Sequence, residues 1–121
     1  MIKKRLAFDL DGTITTQADF PNILDLTPRE IDKLYAEAKP NKEIIKIINK
    51  LSKEYTIYIF TSRGNLHQKT TKDWLKKHKV KFDYFIVDKP FYNALIDDKS
   101  FPPKEILKKS IKEIKEILDG F

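Results

Sequence analysis

The sequence has no cysteine, only three glycines and one tryptophan among its 121 residues. Without cysteine it has no disulfide framework, no thiolate nucleophile and no cysteine-ligated metal site, which fits a reducing, cytoplasmic compartment. The scarcity of glycine, with 12% aromatic residues, excludes collagen-like repeats and disorder. Long apolar runs are also missing, because Asp9 and Asp11 interrupt the first apolar stretch. We therefore expect no membrane-spanning segment.

Basic side chains outnumber acidic ones by 24 to 18, which gives a formal net charge of +6. The lysines alternate with glutamates at helical spacing, most clearly after Pro103. This pattern is typical of solvated helix surfaces and argues against nucleic acid as a partner. The length suits one domain with its own core, and we predict a single domain over residues 1–121.

Strand and helix patterns alternate along the chain. The predicted strands cover residues 4–10, 55–61, 82–87 and 94–96. Helices are predicted from Pro28 to about residue 39, from about Asn41 to Leu51, from about Asn65 to residue 79, and from Pro103 to Gly120. This alternation predicts an α/β fold, a single doubly wound, Rossmann-like three-layer domain with a mostly parallel central sheet.

Two pairs of aspartates follow predicted strands. Asp9 and Asp11 end the first strand, and Asp97 and Asp98 end the last one. The carboxyl ends of parallel strands share one edge of a sheet, and carboxylates crowded there repel each other unless a cation binds. Oxygen ligands without nearby cysteine or histidine favour Mg²⁺. Either pair alone could equally consist of turn or capping aspartates.

Three further polar residues follow the second and third predicted strands. Thr61 ends the second strand, and the Gly64-containing loop after it offers donors to an anion, although strand-end threonines are common. Lys89 lies eight positions before Asp97, close enough along the chain to reach the acids. Arg63 could clamp an anionic group of a substrate or be an ordinary solvent-exposed loop arginine.

The ordered set of motifs resembles that of the haloacid-dehalogenase-like hydrolases over most of the chain. The motifs are Asp9-Leu10-Asp11-Gly12-Thr13, Thr61 after Tyr58-Ile59-Phe60, Lys89, and Ile96-Asp97-Asp98. Within this superfamily the chain is similar to small phosphatases with a minimal cap or none, some of which act on surface-polysaccharide precursors. Only a loop and one helix separate Gly12 from Asn41, where a cap would be inserted.

The resemblance implies a catalytic role for each matching residue. Asp9 would be the nucleophile that forms an aspartyl-phosphate, and Asp11 would protonate the leaving oxygen and later activate water. Thr61 would hold a phosphoryl oxygen, and Lys89 would offset negative charge, so that both also bind substrate. Arg63 is the further candidate for substrate binding.

The resemblance also implies a magnesium site made by both pairs of aspartates. Asp9, the Asp11 carbonyl and Asp97 would bind Mg²⁺ together with the phosphate, and Asp98 would act through a water molecule. The expected function is therefore hydrolysis of a small phosphorylated metabolite, such as a sugar phosphate. The alternatives are a phosphatase of nucleic-acid or protein phosphates, or a non-enzymatic, phospho-accepting receiver-like switch.

Two features depart from the usual pattern of this superfamily. Residues 88–93 replace the helix that usually carries the lysine, and they are few for a crossover between parallel strands. The short segment before Asn41 leaves the site open, so a second copy of the chain could complete it. We interpret His67 and His78 as surface or helix-face histidines that the chemistry does not need.

Overall fold

A computed structural model describes residues 2–121 and divides the chain into two compact units. The first unit ends at Pro90, and the second runs from Phe91 to Phe121. The first unit contains a parallel sheet whose spatial order follows the sequence, formed by β1 (Arg5–Asp9), β2 (Thr56–Phe60) and β3 (Tyr84–Ile86). The predicted α/β class is therefore confirmed.

The register of the sheet brings the carboxyl ends of its strands together. Asp9, the last residue of β1, pairs with Phe60, the last residue of β2, and Thr61 follows at once. On β2, Ile57 and Ile59 are completely buried, as expected from the two-residue period of a strand. This alternation fixes which face of the sheet meets the core.

Three helices complete the first unit: α1 (Pro28–Ala36), α2 (Lys42–Leu51) and α3 (Gln68–Lys77). The apolar stripe of α2 is buried, in agreement with its helical spacing, and consists of Ile44, Ile45, Ile48 and Leu51. The indole N–H of Trp74 on α3 donates to the Ala38 carbonyl at 2.8 Å. This bond ties α3 to the chain just after α1.

Backbone hydrogen bonds join the two ends of the segment that contains α1. The Thr16 N–H donates to the Lys39 carbonyl at 2.9 Å, and the Asn41 N–H donates to the Ile14 carbonyl at 2.7 Å. Residues 17–38 therefore form a short excursion whose two ends are joined by backbone hydrogen bonds. Within it, α1 begins with the predicted capping box between Thr27 and Glu30.

The second unit contains two helices, α4 (Pro103–Leu107) and α5 (Ile111–Leu118). The prediction of one continuous helix from Pro103 to Gly120 is wrong, because Ser110 begins a new helix. Its Oγ accepts a hydrogen bond from the Glu113 N–H at 3.2 Å, and the Glu113 carboxylate accepts one from the Ser110 N–H at 3.0 Å. Serine is strongly preferred at such a position.

The prediction of a strand over residues 94–96 is also wrong. The segment pairs with no strand of the described chain, and Ile96 is 97% exposed. A strand exists only through hydrogen bonds to a neighbour, and three apolar residues offer few of them.

Across residues 2–121, no helix is both long enough and apolar enough to cross a membrane.

Candidate active site

Asp9 and Lys89 form an ion pair at the carboxyl edge of the sheet. The Lys89 Nζ lies 3.0 Å from Asp9 Oδ1, and the two residues are 80 positions apart in the chain. The lysine side chain is 17% exposed and the aspartate side chain 42% exposed. Asp9 therefore has a cationic partner on one oxygen while its carboxylate stays accessible.

Backbone pairing beyond β3 brings Lys89 to this edge. The Thr61 N–H donates to the Ile86 carbonyl, and the Lys89 N–H donates to the Thr61 carbonyl, both at 2.9 Å. The Asp88 N–H also donates to the Arg63 carbonyl at 3.0 Å. The chain therefore needs no helix to position the lysine, because the pairing of β2 with β3 continues past the ends of both strands.

Thr61 lies directly after β2 and is almost completely buried. Its Oγ1 accepts a hydrogen bond from the Arg63 N–H at 3.0 Å, which tightens the turn that follows the strand. A hydroxyl has one donor hydrogen in addition to its acceptor sites, so this contact leaves the hydrogen to donate to another oxygen. That donor is what a phosphoryl oxygen would need.

Asp11 lies in a tight loop over Leu10–Ile14 that follows β1. Gly12 adopts a φ of +83°, and a Cβ at this position would lie 2.9 Å from the Ala18 Cβ. Glycine is the residue that adopts such a backbone without strain. Thr15 Oγ1 donates to Asp11 Oδ1 at 3.1 Å, and the Gly12 N–H donates to Thr15 Oγ1 at 3.3 Å.

Arg63 binds the Asp11 carboxylate with both arms of its guanidinium. Nε lies 2.9 Å from Asp11 Oδ2 and Nη2 lies 2.7 Å from Oδ1, while Nη1 donates to Thr71 Oγ1 at 3.3 Å. The side chain of Arg63 is only 2% exposed. The expectation of a solvent-exposed arginine is therefore wrong. That Arg63 binds substrate stays a prediction, and in the structure its guanidinium engages Asp11.

Two ion pairs at this edge are each neutral, and the Asp88 carboxylate, next to Gly64, adds a further negative charge. Asp9 and Asp11 contribute two negative charges, and Lys89 and Arg63 contribute two positive ones. A bound phosphate monoester would add a charge of about −2. The site as built therefore has no surplus positive charge to receive a phosphate, and a divalent cation would supply it.

Three residues near Arg63 have contacts that sequence reasoning missed. The Arg63 Cζ lies 3.9 Å from the centre of the Tyr35 ring, and the Tyr35 ring contacts the ring of His67 edge-on at 5.3 Å. His67 is only 8% exposed, so its interpretation as a surface histidine is wrong. Its Nδ1 lies 2.8 Å from Asp32 Oδ1, a hydrogen bond that lowers the pKa of Asp32.

The sequence contained only weak signals for these contacts. Tyr35 lies on the apolar face of α1 and could be predicted as a core residue, and burial indeed raises its pKa. Nothing local to the sequence pairs His67 with Asp32, because 35 positions separate them. The other histidine, His78, packs against Trp74 with 4.4 Å between ring centres, and burial lowers its pKa.

The second pair of predicted metal ligands, Asp97 and Asp98, belongs to the second unit. Both are exposed, and Asp97 Oδ1 accepts a hydrogen bond from the Lys99 N–H at 3.0 Å. Among residues 2–121, no three acidic or histidine side chains form a group that could hold a metal ion. At the sheet edge of the first unit, the accessible carboxylate is that of Asp9, while the Asp11 carboxylate is engaged by Arg63.

Comparison with known proteins identifies structural neighbours rather than a family. No family model matches the sequence, and no curated protein matches it. An MCSG target protein from Vibrio cholerae, known from its crystal structure, is similar to this chain with 26% identity and a TM-score of 0.72. That match covers 97% of this chain and 98% of the Vibrio chain. The chain has an α/β fold.

Two more distant neighbours share this fold. Both are chains of Pnkp1/Rnl/Hen1 complexes, one of them described as an RNA repair complex, and they are 19% and 17% identical to this chain with TM-scores of 0.56. The matches cover 91% and 93% of this chain but only 35% and 31% of those longer chains. At such identities the likeness shows the fold alone.

Proposed function

We propose that this chain is a cytoplasmic, magnesium-dependent phosphomonoester hydrolase that works through an aspartyl-phosphate on Asp9. The observation that carries the proposal is that two neighbouring acids lie in different surroundings. Asp9 is accessible and paired through one oxygen with Lys89, whereas Asp11 is held by the buried guanidinium of Arg63. Two carboxylates in unlike surroundings are suited to two different roles, nucleophile and acid–base group.

The reaction has two steps that use the same residues. In the first, Asp11 is in its protonated form, so that its ion pair with Arg63 is replaced by a neutral hydrogen-bonded contact. An Asp9 oxygen attacks phosphorus, the ester P–O bond breaks, and Asp11 gives this proton to the leaving oxygen and returns to the carboxylate that pairs with Arg63. In the second, water attacks the phosphorus of the aspartyl-phosphate, Asp11 takes the proton from that water, and Asp9 is released. Lys89 offsets the charge of Asp9 and the phosphoryl group, and the Thr61 hydroxyl donates to a phosphoryl oxygen.

The ligands in the first unit fit Mg²⁺. This ion keeps several waters and is usually bound by one or two carboxylates together with phosphate oxygens. Asp9 and the backbone carbonyl of Asp11 would hold it, with Asp97 and Asp98 as further proposed ligands. When bound, the cation would neutralise the charge that a phosphate brings to a site whose two ion pairs are already neutral.

We also propose a family and a layer arrangement for this chain. The spaced acids of the first motif, Thr61 and Lys89 support a minimal-cap member of the haloacid-dehalogenase-like hydrolases, with a doubly wound, three-layer arrangement in one domain. The short excursion over residues 17–38 suits a phosphatase without a separate lid. A small phosphorylated metabolite, such as a sugar phosphate, is our first candidate substrate, and an open site would also leave room for a phosphorylated nucleic-acid end or protein side chain.

One observation favours a second class of substrate, a nucleic acid that ends in a phosphate. A groove of about 730 Å³ runs along α3, and its lining includes Lys72 and Lys76 together with Lys69, which is paired at 2.8 Å with Asp73 of the same groove. Lysines along a groove attract a phosphate backbone without reading its sequence. The fold likeness to chains of an RNA repair complex adds no argument of its own, so the groove alone supports this alternative.

The decisive experiment measures phosphate release with and without Mg²⁺. The substrates are an aryl phosphate, a panel of phosphorylated metabolites and a short oligonucleotide with a terminal phosphate, and the proteins are wild type, Asp9→Asn and Asp25→Asn. Asp25 is an exposed aspartate in the excursion and serves as the matched control. We expect magnesium-dependent release by wild type and Asp25→Asn, and a loss on the order of 10³-fold or more in Asp9→Asn.

Two outcomes would contradict the proposal. Equal activity in wild type and Asp9→Asn would exclude Asp9 as the nucleophile. A stable phosphate adduct on Asp9 without turnover would instead support the receiver-like switch.

A further inference from the structure

The guanidinium that holds Asp11 lies over an aromatic ring from the excursion. The Arg63 Cζ is 3.9 Å from the centre of the Tyr35 ring and 5.7 Å from that of Phe20. Arg63 is 3% exposed and Tyr35 is 6% exposed, so water barely reaches this contact. A cation over an aromatic face is held more strongly where it is desolvated.

The Tyr35 ring is itself fixed from two directions. Phe20 meets it edge-on with 5.2 Å between centres and 80° between planes, and His67 meets it at 5.3 Å and 87°. The hydrogen bond from His67 to Asp32 on α1 fixes the imidazole in turn. Tilting the ring would disrupt these contacts, so the ring limits the position and tilt of the guanidinium plane above it.

That plane determines how Asp11 presents its two oxygens. Oδ1 accepts a hydrogen bond from Arg63 Nη2 and shares the single hydrogen of the Thr15 hydroxyl with the Gln17 carbonyl, whereas Oδ2 accepts one from Arg63 Nε. Each carboxylate oxygen has about two acceptor positions. Among the contacts of the described residues, Oδ2 therefore keeps an acceptor position, and the place of this oxygen depends on the Arg63 Nε–H that binds it.

We infer that Tyr35 is a positioning residue that fixes Arg63 and thereby aims Asp11 Oδ2 at the leaving oxygen of the substrate. This inference rests on the proposed function, in which Asp11 gives its proton as the ester P–O bond breaks. Tyr35 touches neither substrate nor the reacting atoms and acts through Arg63. The excursion thus contributes to catalysis although it does not cover the site.

The choice of leaving group separates positioning from a general structural role. An alkyl phosphate releases a strongly basic alkoxide that needs the proton, whereas p-nitrophenyl phosphate releases a stable phenolate that does not. The ratio kcat/KM depends on the reaction steps from free enzyme and substrate up to the departure of the leaving group. General-acid catalysis is worth about 10²–10⁴-fold, and a misplacement of about 1 Å can cost about 10²-fold.

The experiment compares kcat/KM for both substrates in wild type, Tyr35→Leu, Tyr35→Phe and Tyr84→Leu. We expect Tyr35→Leu to lose about 10–100-fold on the alkyl phosphate and less than about threefold on the aryl phosphate. Tyr35→Phe keeps the ring and restores the alkyl rate. Tyr84 also stacks on a neighbouring ring, that of Tyr58, but lies on β3 and has no contact with Arg63, so it is the matched control.

A second readout needs neither substrate nor metal. A ring 3.9 Å from the guanidinium shifts the proton resonance of Arg63 Nε–H, which NMR of arginine side chains detects. We expect this shift to be lost in Tyr35→Leu and kept in Tyr35→Phe. If Tyr35→Leu does not fold, Phe20→Leu tests the same brace, because Phe20 touches both Tyr35 and Arg63 and is only partly buried.

The possible results distinguish this inference from the proposed function. Equal losses on both substrates, or no loss on either in a variant that has lost the NMR shift, would overturn the positioning role while leaving the phosphatase in place. A wild-type protein inactive on both substrates would overturn the proposed function and the inference with it. Selective loss on the alkyl phosphate supports both.

Discussion

The ion pair between Asp11 and Arg63 should be strongly coupled in a double-mutant cycle of folding stability. Arg63→Met removes two charge-assisted hydrogen bonds to Asp11, each worth about 1.5–3 kcal/mol. Because the Asp11 side chain is 16% exposed, water recovers part of this loss, and we expect a cost of about 3–5 kcal/mol. Combining Arg63→Met with Asp11→Asn should then reveal a coupling energy of about 1–3 kcal/mol.

Urea-induced unfolding of the four proteins measures this coupling. Trp74, the one tryptophan of the sequence, is 2% exposed and provides a fluorescence signal for loss of the core. The control cycle uses Lys69→Met and Asp73→Asn, which break a 2.8 Å ion pair on the exposed face of α3. Its coupling should be about 0.5 kcal/mol or less. If the Asp11–Arg63 cycle gives no larger coupling than this pair, Arg63 does not hold Asp11 in solution.

Two further predictions concern the loop after β1 and the helix of the excursion. Gly12→Ala should cost about 1–3 kcal/mol in urea unfolding, because it strains a φ of +83° and meets Ala18. Gly64→Ala, at an ordinary φ, should be neutral or stabilising, and equal effects would contradict this reasoning. The hydrogen bond from His67 lowers the pKa of Asp32 below its ordinary value of 3.8, so the bond stabilises the fold above that pH and the contribution disappears as the pH falls through the lowered pKa. The stability difference between wild type and Asp32→Asn should therefore decrease as the pH falls below 3.8, and a difference that stays constant through that range would contradict it.

The sequence could predict which residues follow the strands of the sheet. The two-residue period of β2 and the apolar run of β1 fix both strands, and parallel strands must share their carboxyl edge. The structure accordingly brings Asp9, Thr61 and Lys89 to that edge. Lys89 needed no recognisable helix, because backbone pairing with Thr61 positions it. For these three residues, the parallel direction of the strands was therefore sufficient to predict that they lie at one edge of the sheet.

Features that depend on competition between local signals were harder to predict. The helical spacing after Pro103 continues to Leu118, but the Ser110 capping box begins a new helix within it. The apolar run at residues 94–96 has strand composition, yet it forms no ladder in the described chain. In both cases the spacing of apolar residues predicted an element. The extent of that element depends on hydrogen bonds, which the spacing of apolar residues does not report.

Side-chain pairing over long separations could not be predicted at all. Arg63 and Asp11 are 52 positions apart, and any of the 18 acidic residues could have been the partner of this arginine. Tyr35 is a similar case, because the sequence places it on an apolar helix face without indicating that a cation lies over its ring. Such partners become visible only once the excursion has been placed against the loop after β2.

The partial exposure of Asp9 and Asp11 explains why several contacts hold Asp11. A lid would exclude water and strengthen every charge interaction beneath it, but the Asp9 side chain here is 42% exposed, so the site retains a high effective dielectric at its edge. A single ion pair in such surroundings would hold a carboxylate only weakly. Asp11 instead accepts three hydrogen bonds, and the guanidinium that donates two of them is buried against Tyr35. The contacts of Arg63 with Asp11 and Tyr35 thus hold the Asp11 carboxylate in place.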